Sequence, residues 1–94
     1  MIRKYGEPPW RAAVLHGGPG ALGSMAVVAR ELGRTVGTLE PIQSQDTVAG
    51  LIEELDEQLR EFVQEPILLI GHSWGAWLAF TVMWSSLIKT AKEM

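Results

Sequence analysis

The chain contains no cysteine, which excludes disulfides and thiolate chemistry and leaves the redox state of its compartment unmarked. Basic residues are few: 8 Lys and Arg against 11 Asp and Glu give a net charge of −3. They form no cluster, so the electrostatic footprint of a nucleic-acid binder is absent, and no nucleic-acid partner is expected. Histidine occurs only twice, as His16 and His72. No metal site and no cofactor are expected. No apolar run follows Arg3-Lys4, so the first residues do not read as a secretory leader, and a cytoplasmic protein is expected. Residues 66–88 carry no formal charge and are numerous enough to span a bilayer. Gly71, His72, Ser73 and Gly75 interrupt that run where a membrane helix would be continuous, and they make sense as a turn. No membrane contact is expected. Repeats, linkers and low-complexity tracts are also missing.

What is present is apolar and ordered in blocks. Hydrophobic residues make up 47% of 94 residues, enough for one small domain with a core. The blocks alternate β-α-β-α-β-α. Residues 12–16 read as a short strand buried on both faces. Ser24 can cap a helix through Met25, Val28, Ala29 and Leu32, with Gly33 as its stop. Residues 35–40 read as a second strand, ended by Pro41. Asp46 can cap a second helix, in which Val48, Leu51, Ile52, Leu55, Leu59, Phe62 and Val63 form a helical stripe. The acids Asp46, Glu53, Glu54, Asp56, Glu57, Glu61 and Glu65 face only Arg60 and read as the solvated side of that helix. Pro66 opens a third strand, 67–70. The last helix, 75–90, is apolar nearly all round and expects burial on more than one side. Such alternation gives a parallel sheet with right-handed crossovers.

Two motifs sit at the ends of strands. Gly71-His72-Ser73-Trp74-Gly75 lies between a strand and a helix, the setting of a nucleophile elbow. There a serine occupies a strained turn that lifts its hydroxyl clear of the sheet. Strand and helix pass so close that only hydrogen fits at the two flanking glycines, Gly71 and Gly75. His16-Gly17-Gly18-Pro19-Gly20 follows the first strand. A glycine-rich loop in that position can present bare N–H groups to an oxyanion. The interval from Gly18 to Ser73 has room for two strand–helix units of about 30 residues each.

On these motifs the chain resembles the α/β-hydrolase fold family, and specifically its proline-iminopeptidase-like branch, which carries His-Gly-Gly-Pro-Gly before the first helix. The segment Leu39-Glu40-Pro41-Ile42-Gln43 and the elbow extended to Leu78 are similar to a subgroup of that branch. The resemblance runs from about Tyr5 to Lys89 and covers the first part of such a catalytic domain. It implies a truncated α/β-hydrolase: a three-layer α/β/α parallel sheet of strand order 2-1-3, with residues 12–16 in the middle. It implies hydrolysis of an ester or amide in a small molecule or peptide. Ser73 would be the nucleophile, the Gly18 and Trp74 N–H groups the oxyanion donors, and Gly71, Gly75, His16, Gly17 and Gly20 the supports of elbow and loop.

The family's acid and histidine follow the serine, yet the residues after Ser73 contain no His, no Asp and a single acid, Glu93. An alcohol needs an adjacent base to react at neutral pH. His72 is expected to pack beside the turn, and His16 to brace the glycine loop. Glu40, at a strand end, could orient a histidine, but none is spare. Trp74 and Trp77 could line a pocket, with Trp77 the better fit to a core position. Two readings stay open: a serine hydrolase, and a non-catalytic remnant that self-associates or binds a partner. Phe80, Met83, Trp84 and Leu87 on the last helix, and free sheet edges at 35–40 and 67–70, lead to an expected homodimer.

Overall fold

The computed structural model describes residues 1–17, 25–63 and 66–93, with 84–93 as backbone only. The elements run β1 (Ile2–Tyr5), β2 (Trp10–Leu15), α1 (Ala26–Leu32), β3 (Gly37–Pro41), α2 (Val48–Phe62), β4 (Leu68–Gly71) and α3 (Trp74–Glu93). They form a small mixed α/β unit whose described strands make one sheet in the order β1-β3-β2-β4. Gly18, Pro19, Gly20 and Ser24 lie outside the described residues.

The sheet corrects the expected three-stranded parallel arrangement of order 2-1-3. β2 does lie between β3 and β4 and runs parallel to both. A fourth strand, β1, adds antiparallel to β3, with Arg3 opposite Glu40 and Tyr5 opposite Thr38. The physical reason is alternation in a segment that looks too polar for a strand. Lys4 turns to one side and lays its ammonium 4.4 Å from the centre of the Phe62 ring on α2. Tyr5 and Arg3 turn to the other side, toward Glu40. β3 is therefore covered on both edges and buried along its whole length, so the expected free edge at 35–40 does not exist. The described edges are β1 and β4.

Leu15, Leu51, Leu55, Leu78, Ala79 and Val82 form the core cluster, joined by the partly buried Ile52, Leu59, Leu69 and Trp74. Burial of each such leucine contributes about 1.5–3 kcal/mol, which is what holds α2 and α3 to the sheet. Leu51 and Leu55 carry the α2 stripe inward, whereas Val48 is half exposed. Thr47, not Asp46, caps α2: its extended backbone lets its hydroxyl accept from the Gly50 N–H at 3.0 Å. α1 packs on β3. Gly33 does end α1, but with φ −63° rather than in the left-handed region. Its lack of a side chain serves a close approach instead, since a Cβ there would lie 2.5 Å from the Tyr5 Cβ.

Among the described side chains of α3, up to Met83, one side is buried. Leu78, Ala79 and Val82 face the core, while Trp77, Phe80 and Met83 are 46%, 62% and 48% exposed. Trp77 is thus not a core residue. The side chains of Trp84 and Leu87 fall outside the description. No helix of the described residues is long and apolar enough to cross a membrane.

Candidate active site

The chain leaves β4 at Gly71, turns through His72 and Ser73, and enters α3 at Trp74. Ser73 has φ 55°, the one non-glycine residue at positive φ among the described residues. A serine in that region costs about 1–2 kcal/mol, so the surrounding structure must hold it there. The hold is visible. Gly75 N–H donates to His72 O at 2.9 Å, and Ala76 N–H and Trp77 N–H donate to Ser73 O at 3.1 and 3.3 Å. A Cβ on Gly71 would lie 2.4 Å from Gly75 C, and one on Gly75 would lie 2.4 Å from Leu15 O. Strand, turn, helix and the neighbouring strand β2 therefore meet at backbone distance. Ser73 and His72 are both exposed.

Trp74 opens α3, so its N–H has no acceptor within the helix, and it makes no hydrogen bond among the described residues. Gly17, which follows His16 at the end of β2, lies against the elbow. A Cβ built on it would be 3.1 Å from His72 O and 3.7 Å from the Ser73 Cβ. The root of the glycine loop and the serine turn are thus brought together. Gly18 and Gly20 belong to the part of that loop outside the described residues.

His16 is fully buried, and both ring nitrogens are engaged. Nε2 accepts the Gln43 backbone N–H at 3.1 Å. A backbone N–H can only donate, so Nε2 carries no proton and Nδ1 does. Nδ1 then donates to Gly17 O at 3.2 Å. His16 braces the loop through both ring nitrogens and offers no free nitrogen to Ser73. The sequence reading missed Gln43 as a site residue. It is buried, its Nε2 donates to His16 O at 3.0 Å, and its Oε1 accepts the Trp74 indole N–H at 2.8 Å. Its signal in the sequence was its place at the end of Leu39-Glu40-Pro41-Ile42-Gln43, a segment to which the motifs give no role. Trp74 also stacks on Trp77, ring centres 4.7 Å apart.

Glu40 does not orient a histidine. It is buried on the β1 side, where Oε1 accepts the Tyr5 hydroxyl at 2.9 Å and lies 3.8 Å from Arg3 Nη1. Its Oε2 has no hydrogen-bond partner among the described residues. Burial first, then the hydrogen bond to Glu40 and its charge, raise the Tyr5 hydroxyl above its usual 10.0, with Arg3 opposing. Tyr5 is the single tyrosine, so the pH-dependent rise of tyrosinate absorbance reports it alone. Its midpoint is expected above that of the unfolded chain. A folded-state value above the unfolded one means stability that is whole below pH 10.0 and lost as pH rises through the folded value. Tyr5→Phe is expected to flatten that alkaline loss, and a midpoint at or below the unfolded value would disprove the Glu40 interaction.

An apolar groove of about 300 Å³ runs along β4 and α3, lined by Leu69, Gly71, Ala76, Ala79, Phe80 and Met83. Ser73 does not line it. Among the described residues no three His, Cys, Asp or Glu side chains converge as metal ligands. No family model, no curated protein and no solved structure matches the chain.

Proposed function

We propose that this chain carries the nucleophile and oxyanion parts of a serine hydrolase of the α/β-hydrolase class. Within that class the reading is the proline-iminopeptidase-like branch, acting on an ester or amide in a small molecule or peptide in the cytoplasm. The observation that carries the proposal is Ser73 at φ 55° between two glycines that tolerate no side chain. Backbone strain of this kind clusters at functional sites, and a turn that displays a residue at its tip is one setting that holds it. A three-layer α/β/α arrangement fits the same reading: α2 and α3 share the Leu15 side of the sheet, and the end of α1 lies by Tyr5, which points opposite to Lys4.

In the proposed chemistry the Ser73 Oγ forms a bond to the carbonyl carbon. The carbonyl electron pair moves onto oxygen, facing the Trp74 and Gly18 N–H groups. The leaving group departs with a proton, and water releases the acyl group. His16, Gly17, Gly20, Gly71 and Gly75 shape the two loops. The proton of Ser73 must go to a base; both nitrogens of His16 are engaged elsewhere, and among the described residues His72 makes no hydrogen bond to the hydroxyl. An acid and a histidine from a partner chain would complete the site.

A second reading rests on a separate observation. Trp77, Phe80 and Met83 form an exposed apolar side of α3 next to the open edge of β4, where Leu68 is also exposed. Such a surface fits a self-associating module, most simply a homodimer, with no chemistry. A fluorophosphonate probe separates the readings. Labelling at Ser73 that Ser73→Ala abolishes is expected from the hydrolase. An unlabelled chain that sediments as a dimer at micromolar concentration would favour the second.

A further inference from the structure

We infer that Gln43 is the positioning residue of the elbow: its carboxamide clamps Trp74 to the end of β2 and so sets where the Ser73–Trp74 turn stands. The inference rests on the hydrolase reading above and adds to it a residue outside both sequence motifs. The carboxamide is oriented without ambiguity. An indole N–H only donates and a backbone carbonyl only accepts, so Oε1 must face Trp74 and Nε2 must face His16 O. The Gln43 N–H meanwhile fixes the His16 ring.

One residue thus touches both segments that would hold an oxyanion. Trp74 supplies one donor directly. His16 is the root of the glycine loop, and Gly17 beside it abuts His72 O and the Ser73 Cβ. Gln43 is itself held on both sides. Ile42 N–H donates to Met1 O at 2.9 Å, and Ser44 N–H donates to Glu54 Oε1 on α2 at 2.9 Å. The clamp is therefore anchored to Met1, just before β1, and to α2 before it reaches the site. Its need follows from Ser73: a turn with about 1–2 kcal/mol of backbone strain relaxes unless its flanks are fixed. Misplacing a reacting geometry by about 1 Å costs about 10²-fold in rate.

The test uses the whole chain, the fluorophosphonate probe and an amide spectrum. In labelling, Ser73 Oγ bonds to phosphorus, fluoride leaves, the hydroxyl proton goes to buffer, and the phosphoryl oxygen occupies the oxyanion position. Gln43→Met keeps the side-chain length and removes both polar atoms. It is expected to lose the exchange protection of the Trp74 indole N–H and to slow labelling by about 10- to 100-fold. Thr47→Ala, which loses only the α2 cap, is the control for general destabilisation and is expected to label within about twofold of the parent. Protection that survives Gln43→Met overturns the clamp, and so does protection lost with labelling unchanged. If Gln43→Met fails to fold, Trp74→Phe removes the same hydrogen bond from the other side, and unchanged labelling there overturns the inference equally. Should the parent chain not label at all, the hydrolase reading fails separately for the chain without a partner. The clamp is then judged on the Ser73 and Trp74 backbone amide resonances: a shift in Gln43→Met upholds it, and their constancy refutes it.

Discussion

Gly75→Ala is expected to cost the fold about 2–4 kcal/mol, near the top of what one added methyl group does. The added carbon would sit 2.4 Å from Leu15 O and 2.7 Å from His16 O. Both are backbone atoms at the C-terminal end of β2, a strand with neighbours on both sides, so neither can swing aside as a flexible side chain would. Either α3 backs away from β2 or β2 leaves its register with β4. The first opens the core at Leu78 and Ala79, and the second breaks the pairing from Ala12–Leu68 to Leu15–Gly71. At about 4–8 °C per kcal/mol for a domain of this size, the melting temperature should fall by about 8–32 °C. Gly17→Ala makes the comparison informative. Its nearest neighbour would be His72 O at 3.1 Å, a contact relieved by a few tenths of an ångström of movement in an exposed turn. That variant is expected to lose under about 1 kcal/mol. Equal losses for the two glycines would mean that the elbow does not press on β2 at all.

The elbow was legible in the sequence because its physics is local. Gly71, Ser73 and Gly75 lie within one turn, and the close approach that demands the glycines is set by bond lengths and the strand–helix angle. The cores of β2 and α2 were legible for a similar reason, since a run such as Ala12-Ala13-Val14-Leu15 or a stripe through Leu51 and Leu55 states its own burial. β1 was not. Ile2-Arg3-Lys4-Tyr5 carries two charges in four residues, and what makes it a strand is distant: Glu40 for Arg3 and Tyr5, Phe62 for Lys4. The same distance hid Glu40, whose partners belong to the strand that was missed. Asp46 and Thr47 are equally good caps by composition, and only the backbone path chooses Thr47. Gln43 shows the limit most plainly. Nothing in Pro41-Ile42-Gln43 says that the amide will find a histidine and an indole, each about thirty residues away, because that meeting is made by the parallel order of three strand ends.

The chain by itself is expected to turn over ester or proline-amide substrates at no more than about 10³- to 10⁴-fold above water, the residue that oxyanion binding leaves once a triad is dismantled. In a serine protease the nucleophile and its histidine act as a unit worth about 2 × 10⁶ in kcat, so the deficit is far outside assay error. The reason lies in how the two histidines are used. For His16 to act as a base, Nε2 would have to release the Gln43 N–H, leaving a buried donor unpaired at a cost of about 1–3 kcal/mol. Its ring would then have to leave a fully buried position to reach an exposed hydroxyl. His72 is exposed and adjacent, but among the described residues no hydrogen bond joins its ring to the Ser73 hydroxyl. The rate that remains should therefore rise smoothly with hydroxide, without a limb near the usual imidazole value of about 6.5. His72→Ala should leave that profile unchanged. His16→Ala should slow labelling only as far as it loosens the glycine loop, again without changing its pH dependence. Vigorous hydrolysis that vanishes in Ser73→Ala, together with a neutral-pH limb that vanishes in His72→Ala or His16→Ala, would identify a base within this chain. The elbow would then be complete without a partner.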